Sequence, residues 1–474
     1  MTAPLEQPAP PNGTLYFASN TAAPVDAPRM LVVSYHFPPD PVVGGLRWQE
    51  MARFFISLGW AVDVISRDFR DVEHLDPARL EHFSANLRLF SVADREPLVE
   101  RAHKIAWPRI SRLLARESVQ RVDALTHHEV KKQSGGGRGI VRAYFAWLEY
   151  ARGGNWARAA AKLGVALARM HRYQFVVSSS PPHLAHEASR LISRASGLPF
   201  VMDMRDPWSL QERLPESIAS PLWFRLARRH EARCVHAASL ITMNTEHVGA
   251  MMRRTYPESA SRIEIVRNGA DSDPLPDPTR DGRFSIRFAG SIYSDRDPRL
   301  VFRASARVVR DLGLTPEQFV VELAGDMDGE WVSEIAEEEG IAAYVSLRGL
   351  LSRKDVLEFQ AGATVLLSLP LAQDRDTSLP AKIYEYVRFA AWLLVVAHPE
   401  SALADLLRGS EADVVGPQDV DGITLLIRHR YEQFSAGERP LPVGRDGQFD
   451  RSVQARKFLM LVQRTQKERT ATTG

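Results

Sequence analysis

Short continuous apolar runs alternate with Gly/Pro loops and helix-spaced segments along most of the chain. MLVVSYHF (30–37) has the unbroken hydrophobicity of a strand buried on both faces. The loop PPDPVVGGLRWQE follows, then MARFFISLGW with helical spacing and a stop at Gly59, then AVDVISRD (61–68) as the next strand. Strand, loop, helix and strand in this order open a doubly wound α/β domain. The pattern returns in FVVSSSPPHLAHEASRLISRASGLPFVMDMRDPW (175–208), and SLITMN (239–244) and RIEIVRNGAD (262–271) add two strands. A polar, Pro-rich stretch, SDPLPDPTRDG (272–282), interrupts the alternation.

The alternation then restarts with FSIRFAGSIY (284–293), a helix over 298–312, FVVELAG (319–325), a helix over 330–339 and YVSLRGLL (344–351). A helix over 352–361, ATVLLSLPL (363–371), the segment TSLPAKIYEYVRFAA (377–391) and LLVVAH (393–398) complete it. FDRSVQARKFLMLVQRTQ (449–466) reads as an amphipathic helix. The fold class is therefore α/β, with two Rossmann-like domains over 29–271 and 284–440, followed by the helix at 449–466. A length of 474 residues with 45% hydrophobic content suits two separate cores.

Two segments stand outside the alternation. Residues 1–28 are Pro- and Ala-rich, without a basic start and apolar centre, and read as a flexible leader rather than a signal peptide. Residues 101–142 carry ten Lys/Arg against three acidic residues, with Trp107, a pair His127–His128 and the linker QSGGGRG. Phe145, Trp147, Tyr150 and Trp156 follow, so the insertion near 101–160 has two readings. It is either a helical excursion with a solvated basic face or a patch for an anionic membrane surface or a lipid-phosphate acceptor. The His pair reads as solvated rather than ligating.

Overall charge narrows the partners. Sixty basic residues against 58 acidic ones leave +2, which gives no general attraction to nucleic acid. The single cysteine, Cys234, excludes a disulfide framework and a Cys-rich metal site, and reads as a helix-packing residue in a reducing compartment. No apolar stretch reaches the roughly 18 residues a spanning helix needs. The expectation is a cytoplasmic protein, with peripheral attachment to the inner face of the membrane open to it.

Candidate chemistry sits at strand ends, where open α/β sheets bind ligands. Gly44 and Gly45 in VVGGLRW form either a tight turn or a close-approach loop for an anion at the following helix start. The motif is neither GxGxxG nor a P-loop, which removes support from nucleotide-cofactor and NTPase readings. Arg47 beside it faces a phosphate or lines the cleft. Ser180 and His183 in SSSPPH contribute a hydroxyl and an imidazole, or simply a stiff turn. Asp203, Arg205 and Asp206 in DMRDPW crowd a strand end, which is costly unless they pair or serve a site. Arg205 leads as a substrate contact.

In the second half, Gly290 ends a strand, and Arg296 and Arg299 follow it in a loop suited to phosphate oxygens or to solubility. Lys382 and Glu385, behind Pro380, form either a surface ion pair or the two ends of a ligand clamp. No metal-ligating spacing, GxSxG or Cys/His constellation appears.

Taken together, LVVSYHFPPDPVVGGLRWQEMARFFISLGWAVDVIS, VVSSSPPHLAHEASRLISRASGLPFVMDMRDPW, IEIVRNGAD, FAGSIYSDRDP and LPAKIYEYVRFAA resemble GT-B-fold enzymes of glycosyltransferase family 4. The likeness is to bacterial members that build surface polysaccharides and glycolipids, and it covers about residues 30 to 465. It implies two Rossmann-like domains facing across a cleft, an acceptor-binding first domain, a nucleotide-sugar-binding second domain and a final helix crossing back. It also implies a UDP- or GDP-linked donor, with its diphosphate against Arg296, Lys382 and the helix-start amides near Ile383, and its ribose on Glu385. Gly44 and Gly45 would close over the phosphates, and Arg47, Ser180, His183 and Asp203 would face a glycan or lipid-linked acceptor.

The implied chemistry is retaining, metal-independent hexosyl transfer without cofactor, with Arg205, Asp206, Arg296 and Lys382 at the reacting centre and the leaving phosphate helping to deprotonate the acceptor. Three positions depart from the family pattern. Thr377 replaces an acid eight residues before Glu385, Ser291 follows Gly290 in place of a basic residue, and Arg205 stands where a histidine is common. They keep a second reading open, a catalytically inert GT-B scaffold or sensor in an envelope-assembly complex. A sugar-nucleotide epimerase ranks last, because no set of acids and histidines joins His183 and Asp203.

Overall fold

A computed structural model describes residues 14–70, 72–93, 101, 138–210, 219–270, 274–292, 296–369 and 379–473. The basic run from 102 to 137, with Trp107 and His127–His128, lies outside the described residues, as does Thr377. The chain divides into two compact units. The first comprises residues 1–244, 248–266 and 457–474, and the second residues 245–247 and 267–456.

The first unit is built on an eight-stranded sheet. Its strands are β1 (Thr14–Ala18), β2 (Arg29–Ser34), β3 (Ala61–Arg67), β4 (Leu87–Val92), β5 (Phe175–Ser180), β6 (Phe200–Met204), β7 (Leu240–Met243) and β8 (Ile263–Ile265). The order is β1-β4-β3-β2-β5-β6-β7-β8, parallel except for β1, which runs antiparallel to β4. β1 corrects the expectation of an unstructured leader over 14–28. TLYFA has the β-branched and aromatic content of a strand and caps the sheet edge.

The strands β2, β3, β5 and β6 are buried along nearly their whole length, as their unbroken apolar runs predict. Helices α1 (Leu46–Ser57), α2 (Arg138–Met170), α3 (Leu184–Ser196), α4 (Pro221–Ala237) and α5 (Glu246–Thr255) connect them. Over 138–160 the expectation of a solvated excursion is corrected. Ala146, Tyr150, Trp156, Ala157 and Ala160 of α2 lie in the main core with Ile65, Leu184 and Ile192. Gly153 and Gly164 let α2 approach α3, since a Cβ at either would lie 2.5 or 2.3 Å from Leu184 or Ile192. Cys234 is buried in α4 as a packing residue.

The second unit carries a six-stranded, wholly parallel sheet. Its strands are β9 (Phe284–Ala289), β10 (Phe319–Ala324), β11 (Val345–Gly349), β12 (Val365–Ser368), β13 (Trp392–Val396) and β14 (Asp413–Val415), in the order β11-β10-β9-β12-β13-β14. Helices α6 (Arg299–Leu312), α7 (Gly329–Glu338), α8 (Arg353–Ala361), α9 (Ala381–Tyr386), α10 (Ala402–Leu407) and α11 (Val420–Ser435) cover it. A final helix, α12 (Arg451–Thr473), begins in the second unit and belongs to the first from Lys457 onward. There Phe458 packs edge-on against Trp48 and Phe55, with ring centroids 5.6 and 6.0 Å apart. Among the described residues no helix is long and apolar enough to cross a membrane.

Both sheets reverse their strand order once, between β2 and β5 in the first unit and between β9 and β12 in the second. Loops leaving the carboxyl ends of such a strand pair diverge to opposite faces and open a crevice for a ligand.

One buried charge ties β2, β3 and β4 together in the first sheet. Asp63 on β3 is fully buried and accepts from Arg29 (3.1 Å), Arg88 (2.6 Å) and Tyr173 (2.5 Å). Burial alone would raise its carboxyl, but the hydrogen bonds and charges of Arg88 and Arg29 hold it below the ordinary carboxylate range. Its stabilisation is therefore fully present above the unfolded value of about 3.9 and lost as pH falls through the lower folded value. Asp63→Ala leaves two guanidinium groups without their anion and is expected to cost about 3–5 kcal/mol. The urea midpoint of the transition that melts this sheet measures it; an unchanged midpoint at pH 7 refutes the assignment.

Candidate functional site

At the β2/β5 reversal of the first unit, the chain leaves β2 through Tyr35 and His36 and returns into α1 through Gly44 and Gly45. A Cβ on Gly44 would lie 3.4 Å from Nη2 of Arg205, and one on Gly45 3.4 Å from the carbonyl oxygen of His36. The two glycines therefore fit a loop folded tightly over its neighbours. His36, Val42, Gly44, Pro181, Pro182, Arg205 and Asp206 line a solvent-open pocket of about 290 Å³.

Arg47 and Asp203, expected on the acceptor side, are directed elsewhere. Arg47 donates to both oxygens of Asp203, from Nε at 2.9 Å and Nη2 at 2.8 Å, and also to the carbonyl of Val266 at 3.0 Å. Trp48 Nε1 and Thr242 Oγ1 complete the shell of Asp203 at 2.8 and 2.7 Å. Arg47 is 3% exposed and Asp203 not at all, so this cluster fixes the start of α1 on β6, β7 and the end of β8. Ser180 is likewise fully buried and does not reach the pocket surface.

His183 stacks on Trp208 with centroids 5.3 Å apart, and its Nε2 lies 3.3 Å from the Asp206 carbonyl oxygen. Burial pushes it down to about 4, so it is a neutral packing group at pH 7. Arg205 and Asp206 do reach the pocket. Arg205 donates from Nε to the carbonyl of Ser180 and from Nη2 to that of Pro181 at 3.2 Å. Burial pushes the Asp206 carboxyl up, with Arg205 opposing the shift.

The β9/β12 reversal of the second unit gathers a different set. Gly290 leaves β9 at φ 150, and a Cβ there would sit 2.8 Å from Nζ of Lys382. Lys382 lies over the Phe288 ring, 3.8 Å from its centroid, and donates to the Ala289 carbonyl at 3.4 Å. The hydroxyl of Tyr386 accepts from the Ala289 N–H at 3.0 Å and donates to its carbonyl at 3.2 Å, locking the strand end. Arg296 donates from Nη1 to the Ser291 carbonyl at 2.9 Å, while its buried Nε finds no partner among the described residues.

The ammonium of Lys382 is pushed down to about 7, first by burial and then by the like charge of Arg296. Among the described residues no carboxylate pairs with either cation. Two positive groups, partly desolvated and converging beside a glycine whose backbone L side chains rarely adopt, have the chemistry to hold an anion.

Glu385 sits one turn beyond Lys382 but forms its ion pair with Arg353 at the start of α8. Ile383, expected beside the donor, is fully buried, and its N–H is already bonded to the Pro380 carbonyl at 3.1 Å. It supports α9 from the core rather than offering a ligand contact. Arg299 is engaged by Glu338 and is not part of the site.

Several site residues escaped the sequence reading. Phe288 and Tyr386 looked like ordinary core, and Arg353 lay on another helix. His36, whose Nδ1 lies 2.8 Å from Asp40 Oδ2, was absorbed into a strand. Its His-x-x-x-Asp spacing was the one available signal.

No protein-family model matches the chain, and no curated protein matches it in sequence. Solved structures do match over nearly its whole length. A glycosyltransferase from Rickettsia africae superposes with a TM-score of 0.55 at 11% identity, covering 93% of this chain and 99% of that one. A sucrose-phosphate synthase from Thermosynechococcus elongatus gives 0.57 at 12%, covering 92% and 98%. HepE of Anabaena, solved in complex with UDP and glucose, gives 0.52 at 12%, covering 92% and 99%. The fold is the GT-B fold of such glycosyltransferases.

The buried ammonium makes a direct prediction. In lysine NMR titrations, one lysine is expected to lose its proton near pH 7, and Arg296→Met is expected to raise that midpoint by removing a like charge. A chain in which every lysine titrates near the ordinary value of about 10.4 contradicts the site geometry.

Proposed function

We propose that the chain is a glycosyltransferase that moves a hexosyl group from a UDP- or GDP-linked donor to a glycan or lipid-linked acceptor. The observation that carries this reading is the pair of cations, Lys382 and Arg296, lacking a described carboxylate partner at the β9/β12 reversal of a GT-B fold. A diphosphate supplies the counter-charge that the described residues withhold. Charge growing on the leaving phosphate as the glycosidic C–O bond breaks is stabilised by groups already in place. Because Lys382 and Arg296 bring two positive charges to that position, transfer proceeds without a metal.

Glu385 offers its carboxylate to the ribose hydroxyls in exchange for a surface ion pair with Arg353 that contributes little. HepE, crystallised with UDP and glucose, supports a sugar-nucleotide ligand for this fold. Arg205, Asp206 and the Gly44–Gly45 loop, gathered around the pocket of the first unit, form the acceptor side. Retention at the anomeric carbon is part of the proposal, read from the product anomer by NMR.

Lys382→Ala and Glu385→Ala are expected to weaken UDP or GDP binding by about 10- to 100-fold, the loss of one charge-assisted contact each. Titration calorimetry decides, and wild-type-like binding in both variants sinks the assignment. Turnover of a sugar-nucleotide panel, unchanged by EDTA, is expected of the enzyme. Nucleotide binding with no turnover favours the inert scaffold instead.

The peripheral-membrane reading rests on the basic residues of 101–142 in the sequence and on Trp147 in the first part of α2. Trp147 is 38% exposed there beside Tyr144, whereas Tyr150 and Trp156 have moved into the core. Co-sedimentation with phosphatidylglycerol vesicles is expected to drop on joint reversal of Arg109, Arg112 and Arg116 to Glu. Equal sedimentation of that variant discards the membrane contact.

A further inference from the structure

We propose that a diphosphate bound at the β9/β12 reversal draws a proton onto Lys382, so that nucleotide-sugar binding and proton uptake are one event. The inference rests on the glycosyltransferase reading above and names how solution pH governs the donor site which that reading assigns.

The site lies wholly within the second unit. Lys382 stands in the first turn of α9, and its Nζ meets only uncharged surfaces at close range. The Phe288 ring centroid is 3.8 Å away, the Ala289 carbonyl 3.4 Å, and the point where a Cβ on Gly290 would lie 2.8 Å. Tyr386, one turn further along α9, fixes this wall by bonding both backbone groups of Ala289. Burial pushes its hydroxyl up, so it adds no charge.

The charged groups on the surrounding elements supply no counter-ion. On α9 itself, Glu385 pairs with Arg353 from α8. Beyond β9, Arg296 is a like charge that donates to the Ser291 carbonyl, with its buried Nε unmatched among the described residues. Arg299 is held by Glu338 at the end of α7. Beyond β10, Asp326 is exposed and meets this strand end through its carbonyl, which accepts from the Ile292 N–H at 2.9 Å. Within the sheet, Arg287 on β9 and Glu322 on β10 pair with each other at 2.6 Å.

Two partly desolvated cations without an anion repel, and the lysine can shed its charge where the arginine cannot. The ammonium is accordingly pushed down to about 7, by burial first and by Arg296 second. A diphosphate reverses that balance. Its oxygens offset the charge of Arg296 and accept from the ammonium, and both effects favour the protonated lysine. Such coupling is reciprocal: the factor by which the anion raises proton affinity is the factor by which the proton raises anion affinity. Below about pH 7 Lys382 already carries its proton, and affinity is level. Above that point each binding event takes a proton from solution, and affinity falls by up to about tenfold per pH unit, the limit for one linked proton.

The test uses the full chain with UDP-glucose and GDP-mannose, whose diphosphates have no oxygen that titrates near neutrality. Calorimetric titration in HEPES and in Tris, buffers with unlike heats of ionisation, counts the protons. At about pH 8, close to one proton is expected to be taken up per nucleotide sugar bound, and the Kd is expected to rise nearly tenfold over the next pH unit. Lys382→Arg, which keeps a permanent cation, is expected to bind with no proton uptake and level affinity over that range. Lys382→Met is expected to bind more weakly, again without uptake. Level wild-type affinity with no proton taken up overturns the proposal and leaves the donor reading standing, as does uptake that survives in both variants. Failure of both nucleotide sugars to bind at about pH 6, where Lys382 is charged in the empty site, ends the donor reading itself, and this inference with it.

Discussion

The candidate donor site depends on an empty volume, the side chain that Gly290 does not have. Nζ of Lys382 fills the space where a Cβ would intrude, 2.8 Å away, and from there it reaches the Phe288 ring and the Ala289 carbonyl. The same strand end is tightened from the other side, because a Cβ on Gly325 would lie 2.2 Å from the Gly290 carbonyl oxygen. Tyr386 then bonds both backbone groups of Ala289. The ammonium is thus held by a ring, a carbonyl and packing, and by no described carboxylate. Such an arrangement costs desolvation energy, which is the cause of the lowered ammonium at Lys382.

The two units use the same strand reversal to opposite electrostatic ends. At β9/β12 the converging groups are cations whose capacity is open. At β2/β5 the charges are mostly paired, and Arg205 and Asp206 form a polar rim to the pocket. One reversal gathers cations without a described carboxylate, the other gathers charges that are mostly paired. This division follows from which residue types stand at the strand ends.

Much of the architecture was legible because buried parallel strands have no polar face to hide. MLVVSYHF, FVVSSS and FVVELAG announce themselves by unbroken apolar runs, and the Pro-rich stretch at 272–282 separates the two series. Tertiary context decided the rest. TLYFA lay within a Pro-rich leader, and only pairing with β4 makes it a strand. Tyr150 and Trp156 suggested an interface by their amphipathic chemistry, yet helical spacing with Ala146, Ala157 and Ala160 turns both into the core. At the sites, Gly290, Arg296 and Lys382 were readable as residue types at strand ends. Their convergence was implied by the family resemblance and not by spacing, since 86 positions separate Arg296 from Lys382 along the chain.

Crowded charges are a weaker guide to function than unsatisfied ones. Asp203 drew attention because it shares a strand end with Arg205 and Asp206, but it accepts from Arg47, Trp48 and Thr242 at 2.7–2.9 Å and has nothing left to offer. Asp63, ringed by Arg29, Arg88 and Tyr173, is the same kind of structural anion at another part of the sheet. His36 has one hydrogen-bonded carboxylate neighbour, Asp40, on Nδ1. Lys382 and Arg296 have none among the described residues. Remaining hydrogen-bonding capacity at a strand reversal, rather than local charge density, therefore separates the groups that hold this fold together from those that can act on a ligand.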